Sequence, residues 1–476
     1  MGAISPSLLS ASLSVKRIAI IGAGPSGLAA AKYLRAAEAF SKIDVFEQQP
    51  KVGGVWLYTP EAPAKTSVPQ TTPQYTPDKP LNLSQGPIFP SPMYETLHTN
   101  IPKSLMGYSD FYFADDCQLF PQRETVQEYL EKYAEDILPL ISFSTQVESV
   151  TLAQSNGQDQ WELRTKNVRD QKTQTSIYDA LVIANGHYNV PFIPSYPGIS
   201  EWNDKYPGSI THSKTYRSPG AFSNKKVLLI GNRASAIDIG RQIAPVCAGP
   251  LLNSVRDPPE NLAEELRTPN KVEVKAIASF NAEDQTITFE DGRVEADIDK
   301  VIFCTGYLYA YQFLENSGIV PPVVTNGRRV RGLYKQFLHI NHPTLAFTGL
   351  PQKVIPFPLS EGQSAVLARI WSGQLPLPSK SVMKQWEAAR VGEKGDVTDF
   401  HVLGYPEDAD YINEFHDWAM AADPKAPGKE PPLWDDRMRW TRKNYVDIQE
   451  AWTAGGKTGK SLEEVGFNFD AADNDL

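Results

Sequence analysis

A glycine-rich run near the N-terminus has the residue types and the spacing needed to bind a phosphate-linked cofactor. Its residues are Gly22, Ala23, Gly24, Pro25, Ser26 and Gly27. The first glycine permits a tight turn, the second lets the backbone approach a pyrophosphate, and the third lets a helix pack on a strand. Glu47, twenty residues beyond Gly27, can accept hydrogen bonds from ribose hydroxyls. The pattern predicts a site for FAD or NAD rather than NADP, because an acid disfavours a 2′-phosphate.

A second run repeats this spacing with different residues: Gly231, Asn232, Arg233, Ala234, Ser235 and Ala236. The side chain of Arg233 should obstruct the phosphates, unless its guanidinium is itself their charge partner. Arg256 stands twenty residues past Ala236, where the first unit has its acid. This exchange suits a 2′-phosphate, so the run predicts an NADPH site with an unusual turn. The alternative is that Arg256 is a solvated surface charge.

A third short run, Gly53 to Trp56, follows closely behind the first unit. Two flexible glycines precede a large flat aromatic ring, so Gly54, Val55 and Trp56 are predicted to form a second wall beside the first cofactor. The alternative is a plain turn with a core tryptophan.

The elements that must position these runs can be read from the apolar pattern. Residues 15–47 predict strand, turn, helix and strand, and residues 226–255 repeat that order. Alternating stretches between 141 and 183 predict a meander. Helices are predicted near 382–389, 409–421 and 446–453. The chain is therefore expected to be an α/β protein with two dinucleotide-binding units and a helical C-terminal tail.

Composition narrows the classes of partner and compartment. The chain has 476 residues and a net charge of −10, which predicts two or three domains and makes nucleic acid and anionic membrane surfaces poor partners. No run approaches the roughly 20 apolar residues of a membrane helix. Without a recognisable secretory signal, the cytoplasm is the expected location.

The three cysteines, Cys117, Cys247 and Cys304, form no CxxC pair. This excludes the dithiol centre of the pyridine nucleotide disulfide reductases, which share the plan of two dinucleotide units. Residues 455–458 imitate a phosphate loop but lack its first glycine, and His339 and His342 have no partner ligands at metal spacing. No metal site is expected.

Between the two glycine runs, the segment from Tyr206 to Arg217 resembles the FxGxxxHxxxY signature of flavin-containing monooxygenases, with Tyr206 in place of phenylalanine. The family belongs to the class B flavin-dependent monooxygenases, and the likeness is to the soluble yeast and fungal type. Residues 97–103 resemble its L-x-T-N-x-P-K segment. Weaker likenesses lie at 179–186, 304–307 and 361–363.

This resemblance implies two Rossmann-like domains, with an NADPH domain at 189–306 inserted into an FAD domain made of residues 1–188 and 307–476. The second part of the FAD domain would carry the helical extension. Further cofactor contacts are implied for Thr99, Asn100, Val147, Tyr216 and Gln363. A homodimer is compatible with the resemblance.

The implied reaction is oxygenation of a soft nitrogen or sulfur nucleophile by O2 and NADPH through a C4a-hydroperoxyflavin, with Asn100 protecting that species. Three alternatives stay open. One is Baeyer–Villiger oxygenation of ketones, disfavoured because Tyr216 and Arg217 stand where those enzymes carry tryptophan and proline or aspartate. The second is an uncoupled NADPH oxidase, if Arg233 blocks the nicotinamide cofactor. The third is a non-catalytic flavin-binding regulator.

Overall fold

The computed structural model describes residues 13–62, 66–75, 79–83, 86–155, 157–256 and 269–472. Within these ranges the chain has a mixed α/β fold, as the sequence predicts. Two separate sheets carry the two glycine turns, and helices cover them.

The strands follow one another along the chain in this order: β1 (Arg17–Ile21), β2 (Lys42–Phe46), β3 (Leu81–Leu83), β4 (Gly86–Ile88), β5 (Ile141–Ser142), β6 (Thr145–Ser155), β7 (Gln158–Asn167), β8 (Thr173–Tyr178), β9 (Ala180–Ile183), β10 (Val190–Pro191), β11 (Ile210–His212), β12 (Val227–Ile230), β13 (Leu251–Ser254), β14 (Lys271–Val274), β15 (Ile277–Asn281), β16 (Thr286–Phe289), β17 (Val294–Ala296), β18 (Lys300–Phe303), β19 (Tyr307–Leu308), β20 (Leu333–Tyr334), β21 (Leu338–His339) and β22 (Leu345–Phe347).

The helices are α1 (Pro25–Ala36), α2 (Lys103–Met106), α3 (Arg123–Ala134), α4 (Ile199–Lys205), α5 (Ala234–Ile243), α6 (Pro356–Trp371), α7 (Lys380–Lys394), α8 (Glu407–Met420), α9 (Asp436–Ala454) and α10 (Phe469–Ala472).

The first sheet has seven strands in the order β20-β21-β22-β9-β1-β2-β5. Its central strand, β1, pairs in parallel with β2 and β9, and β22 pairs in parallel with β9. Ile18, Ile20 and Val182 are fully buried, because helices cover one face and the meander β6-β7-β8 lies on the other side of the core. The predicted meander is confirmed.

The second sheet has five parallel strands in the order β11-β18-β12-β13-β14. Its strands come from residues 210–303, and the antiparallel sheet β15-β16-β17 packs beside them. The predicted strand, turn, helix and strand are present here as well, as β12, α5 and β13. The carboxyl ends of β1 and β12 therefore each lead directly into a glycine turn.

The predicted tail helices correspond to α7, α8 and α9. One of them, α8, packs against α6, whose residues from Phe357 to Trp371 are buried without exception. The sequence prediction missed this helix, because a helix covered on all sides lacks the one-sided apolar pattern that marks a surface helix.

No helix in the described ranges is long and apolar enough to cross a membrane. Those ranges also bring together no group of three or more histidine, cysteine, aspartate or glutamate side chains that could hold a metal ion.

Candidate active site

The first glycine turn is closely packed against its own strand and against β9. Gly22 has a φ of +105°, and a Cβ added there would lie 2.5 Å from the carbonyl oxygen of Ala184. A Cβ on Gly27 would lie only 1.9 Å from the carbonyl oxygen of Gly22. Both positions therefore require glycine, for the reasons the spacing predicted. Helix α1 begins at Pro25 with Gly24 as its N-cap, so free N–H groups face the edge of the sheet, where anions bind.

The third run, residues 53–56, folds over this turn. The N–H of Gly53 donates to the carbonyl oxygen of Ala23 at 3.1 Å, and a Cβ added to Gly54 would lie 3.0 Å from the Cα of Gly24. The hydroxyl of Ser91 donates to the carbonyl oxygen of Val55. The run is thus a wall placed against the first turn, and Trp56 is half-buried within it.

Glu47 lies at the end of β2 and is 5% exposed. Its Oε2 accepts from the N–H of Ala23 at 2.7 Å, and its Oε1 accepts from the N–H of Gln49 at 2.8 Å. Burial raises the pKa of the Glu47 carboxyl, and these backbone donors oppose that shift. Each oxygen keeps lone-pair capacity for a further donor such as a ribose hydroxyl.

Three buried polar atoms beside the first turn have no hydrogen-bond partner among the described residues: Oε1 of Gln127, Nε2 of His187 and Oγ1 of Thr348. Gln127 contacts the Gly53 position, His187 follows β9, and Thr348 follows β22. Burial lowers the pKa of His187 to about 4, so its imidazole is neutral near pH 7. Buried polar atoms without partners are costly. Together with the glycine cradle, these groups fit a bound dinucleotide.

The second glycine turn is built like the first at its base and differs at its rim. Gly231 has a φ of +120°, and a Cβ there would lie 2.7 Å from the carbonyl oxygen of Cys304. The next four residues, from Asn232 to Ser235, are all exposed, and Ala236 is 1% exposed. The second turn is therefore open where the first is covered.

Arg233 is the N-cap of α5 and has an extended backbone. Its side chain and that of Arg256, which follows β13, are both exposed. Neither makes an ion pair with another described residue. Arg233 fills no space that the fold itself needs, so its guanidinium is free to meet an anion at the start of α5.

The segment with the L-x-T-N-x-P-K likeness leads directly into α2. Thr99 is 4% exposed, its N–H donates to the carbonyl oxygen of Pro121 at 2.9 Å, and its hydroxyl donates to that of Ile101. The neighbouring Asn100 side chain is exposed and makes no hydrogen bond within the described ranges. The backbone of Asn100 is held while its amide stays available.

Two of the predicted cofactor contacts, Tyr216 and Gln363, have side chains that form hydrogen bonds inside the protein. Tyr216 is 2% exposed and its hydroxyl donates to Oε1 of Gln242 at 2.9 Å. Gln363 is fully buried, accepts from the N–H of Gly349 and donates to the hydroxyl of Tyr411. Both side chains support neighbouring segments, and their contact with a cofactor stays a prediction.

The other predicted contacts lie around the first turn. Val147 is 8% exposed and lies two residues after Thr145 in β6. The N–H of Thr145 donates to the carbonyl oxygen of Glu47. The hydroxyl of Ser26 lies 2.8 Å from that of Ser360, so the part of Ser26 open to a ligand is its backbone at the start of α1.

The sequence reasoning missed an aromatic wall that follows β9. Tyr188 is 47% exposed, and its ring lies 4.4 Å from that of His187 and 5.6 Å from that of Tyr307. Only the position just past a parallel strand could have signalled these residues, since ligands bind at such strand ends.

Two glycine turns at the carboxyl ends of parallel strands in two sheets, one followed by an acid and the other by arginine, are typical of flavoproteins that use a nicotinamide cofactor. The sequence comparisons agree with this class. The profile of the flavin-binding monooxygenase-like family matches residues 90–257 and 265–428, and an NAD(P)-binding Rossmann-like domain matches residues 20–73.

Among curated relatives, the chain is similar to the flavin-containing monooxygenase FMO GS-OX-like 4 of Arabidopsis thaliana, with 37% identity over 380 residues, 77% of this chain and 78% of that protein. It is also similar to the thiol-specific monooxygenase of Saccharomyces cerevisiae, with 31% identity over 449 residues, 91% of this chain and 93% of that protein.

Among solved structures, the S-allyl-L-cysteine S-oxygenase of Allium sativum aligns with a TM-score of 0.78 and 27% identity, covering 96% of this chain and 98% of that chain. The chain belongs to the flavin-containing monooxygenase family. It is a flavin-dependent monooxygenase whose cofactors are FAD and NAD(P)H.

Proposed function

We propose that this monooxygenase oxygenates the sulfur or nitrogen of small soft nucleophiles, with FAD at the first turn and NADPH at the second. The observation that carries the proposal is the pairing of two unlike turns in one chain. The first is tightly covered and ends beside the buried Glu47. The second is open and carries exposed arginines at positions 233 and 256.

The two turns belong to two domains in this proposal. Residues 189–306 form an NADPH domain inserted between the halves 1–188 and 307–476 of an FAD domain. The composition of the two sheets supports this division, because the seven-stranded sheet takes strands from both sides of residues 210–303. The segments where the chain would leave and return, β10 and β19, pair with each other antiparallel.

FAD would be held by backbone groups of the first turn, by Glu47, by residues 54–56 and by the region of Val147. When bound, it supplies redox and oxygen-transfer chemistry that no side chain provides. The chain itself binds and orients the cofactor and the substrate, and it excludes water from them. A Cβ on Gly54 would lie 3.0 Å from the Cα of Gly24, so the two glycines leave bare backbone there, which suits a bound pyrophosphate.

NADPH would be held at the start of α5, where Arg233 and Arg256 supply positive charge for its phosphates. This assigns Arg233 as a phosphate ligand rather than an obstruction. Its exposed position and its lack of an ion-pair partner among the described residues support that assignment. The uncoupled oxidase, which requires Arg233 to block the cofactor, is correspondingly disfavoured.

Asn100 would face the reacting groups and exclude water from them. Its amide can donate and accept hydrogen bonds at once. The anchoring of Thr99 beside it fixes the backbone from which that amide projects. The proposed reaction needs no acid or base from the protein. His187 near the first turn is neutral, which is consistent with a site that donates and accepts hydrogen bonds without transferring protons.

The names of the matched relatives favour sulfur as the acceptor atom. One relative is called thiol-specific and one solved structure is an S-oxygenase. Tyr216 and Arg217 separate the chain from the Baeyer–Villiger pattern. A thiol or thioether is therefore the first substrate class to assay, with tertiary amines second and ketones third.

The test is anaerobic addition of NADPH to the FAD-loaded protein, followed by oxygen in the presence of a thioether, a tertiary amine or a cyclic ketone. We expect the flavin colour to bleach with NADPH and a sulfoxide to form after oxygen is added. A flavin that NADPH never bleaches would support the non-catalytic regulator instead. A lactone from the ketone as the main product would establish the Baeyer–Villiger alternative.

A further inference from the structure

Residues 89–100, which we call the strap, connect the wall of the first turn to Asn100. The strap is tied to the first sheet at its start, because the amide of Gln49 exchanges two hydrogen bonds with the backbone of Phe89, at 2.8 and 2.9 Å. Near its end, Leu97 accepts from the N–H of Arg123 at the start of α3. Both ends of the strap thus belong to the FAD side.

The middle of the strap is tied to the other sheet's helix. The buried hydroxyl of Tyr94 donates to Oδ2 of Asp238, and the hydroxyl of Thr96 donates to Oε1 of Gln242 at 2.9 Å. Asp238 and Gln242 are four residues apart, so they share one face of α5. The ring of Tyr94 also packs edge-on against Tyr216, with ring centroids 5.2 Å apart.

The direction of every hydrogen bond in this network is fixed by chemistry. The Asp238 carboxylate can only accept, so both the hydroxyl of Tyr94 and Nε2 of Gln242, at 3.1 Å, donate to it. Oε1 of Gln242 can also only accept, and it receives the hydroxyls of Thr96 and Tyr216. Burial, together with the Asp238 charge, raises the pKa of Tyr94, so its hydroxyl keeps its proton.

Backbone contacts strengthen this junction between the strap and α5, which we call the seam. The N–H of Glu95 donates to the carbonyl oxygen of Arg217 at 3.0 Å. The guanidinium of Arg217 in turn donates to the carbonyl oxygens of Ser91 and Glu61, at 2.9 and 3.0 Å. Arg217 and α5 therefore hold the strap from two sides.

We propose that Tyr94, Asp238 and Gln242 are positioning residues that set Asn100 against a cofactor bound at the start of α5. Asp238 lies four residues after Ala234, where α5 begins, and Asn100 lies six residues after Tyr94. One rigid helix thus carries the second turn at its start and the strap on its side. The inference rests on the proposed roles of Asn100 and of the second turn.

The consequence is a shared geometry between the two cofactor sites. Loosening the seam should leave FAD bound, because the first turn is untouched, but should misplace the nicotinamide cofactor relative to the flavin and Asn100. Misplacement of reacting groups by about an ångström can cost up to about 100-fold in rate.

The experiment compares Tyr94→Phe with Tyr178→Phe in the full-length FAD-loaded enzyme. Tyr178 is a matched control. Its side chain is 1% exposed and its hydroxyl also donates to an aspartate, Asp44, but that residue lies in β2 of the first sheet, away from the strap. We expect Tyr94→Phe to keep its FAD, to slow flavin reduction by NADPH about tenfold, and to release more hydrogen peroxide per NADPH oxidised. Tyr178→Phe should match the wild type in both measurements.

A second pair guards against a folding defect in Tyr94→Phe. Thr96→Val removes the hydroxyl that donates a hydrogen bond to Gln242, whereas Thr96→Ser keeps that hydroxyl. Only the valine variant should therefore raise the peroxide yield. Unchanged reduction and peroxide yield in both Tyr94→Phe and Thr96→Val would overturn the positioning role. If the wild-type flavin itself is not reduced by NADPH, or no oxygenated product forms, it is the proposed function that fails.

Discussion

The two glycine turns share a base and differ in what surrounds them. In both, the first glycine has a positive φ and lies against a backbone carbonyl of the neighbouring strand end, at Ala184 for the first turn and Cys304 for the second. The first turn is then covered by residues 53–56, while the second has four consecutive exposed residues.

The two turns also differ at their third position. Gly27 must be glycine because a Cβ would lie 1.9 Å from the carbonyl oxygen of Gly22, whereas Ala236 in the equivalent position already carries a buried Cβ. A covered turn suits a cofactor that stays bound through many reactions. An open turn with arginines suits one that arrives and leaves with each reaction.

The largest effect should come from Gly27→Ala set against Ala236→Gly. The added Cβ at 27 forces the first turn apart, so we expect loss of bound FAD and a fall of about 3 kcal/mol in the free energy of unfolding. Ala236→Gly should retain FAD and cost about 1 kcal/mol, the usual price of glycine in a helix. Flavin absorbance per chain and urea unfolding measure both. FAD retained at the wild-type level in Gly27→Ala would contradict the need for a close-packed first turn.

The next effect tests the open turn by charge. Arg256→Gln should raise the KM for NADPH about tenfold or more while leaving the KM for NADH nearly unchanged, because only NADPH has the 2′-phosphate that a guanidinium binds at about 1.5–3 kcal/mol. Arg233→Gln should weaken both cofactors, if it meets a phosphate common to them. Steady-state kinetics with each cofactor give the ratio. A higher NADPH affinity in Arg233→Gln would show instead that this side chain obstructs the turn.

A smaller effect is expected from Asn100→Ala, which touches neither turn. FAD content and the rate of flavin reduction should stay near the wild type, while product per NADPH falls by about tenfold, the scale of a lost polar interaction in a reacting site. The measurement is sulfoxide formed against NADPH consumed, with Asn281→Ala, an exposed residue at the end of β15, as the control. Full coupling in Asn100→Ala would remove its protective role.

The smallest effect concerns acid stability and compares the two sheets. Burial lowers the pKa of His212, in the second sheet, and of His339, in the first, to about 3. Unfolded imidazoles take up protons below pH 6.5 that the folded ones refuse, so stability is complete above that pH and is lost as the pH falls. At pH 5 each buried imidazole should lower the free energy of unfolding by about 2 kcal/mol relative to its value above pH 6.5.

The histidine comparison has its own variants. His212→Gln and His339→Gln should each flatten the fall in unfolding free energy between pH 7 and pH 5, and by similar amounts. Urea unfolding at several pH values provides the measurement. An unchanged slope in either variant would mean that the corresponding imidazole is not the proton acceptor on unfolding.

The sequence predicted the local features and missed those that depend on distant packing. The strands, turns and tail helices follow from apolar periodicity and glycine spacing, which are local. Helix α6 contains prolines at 356 and 358 and a glycine at 362, and its burial on every side erases the periodicity that marks a helix.

The site shows the same division. The crowding around Gly22 and Gly27 agrees with what their spacing predicts, because a turn's geometry is set by its own residues. The occupied side chains of Tyr216 and Gln363 could not be foreseen, since their partners, Gln242 and Tyr411, lie 26 and 48 residues away along the chain. Nor could the sequence show that Nε2 of His187 has no hydrogen-bond partner among the described residues, because that depends on which groups the fold places near it.

The way the first sheet is assembled has a consequence for how the protein is made. Its strands β20, β21 and β22 come from residues 333–347, and α6, which packs on α1, follows them. As the chain is synthesised from its N-terminus, the strands of the second sheet are complete by residue 303, while the first still lacks three strands. Until then β9 is an uncovered edge that invites pairing with other chains. A ribosome that stops before residue 333 would therefore release a product prone to aggregate, although both of its nucleotide turns had been translated.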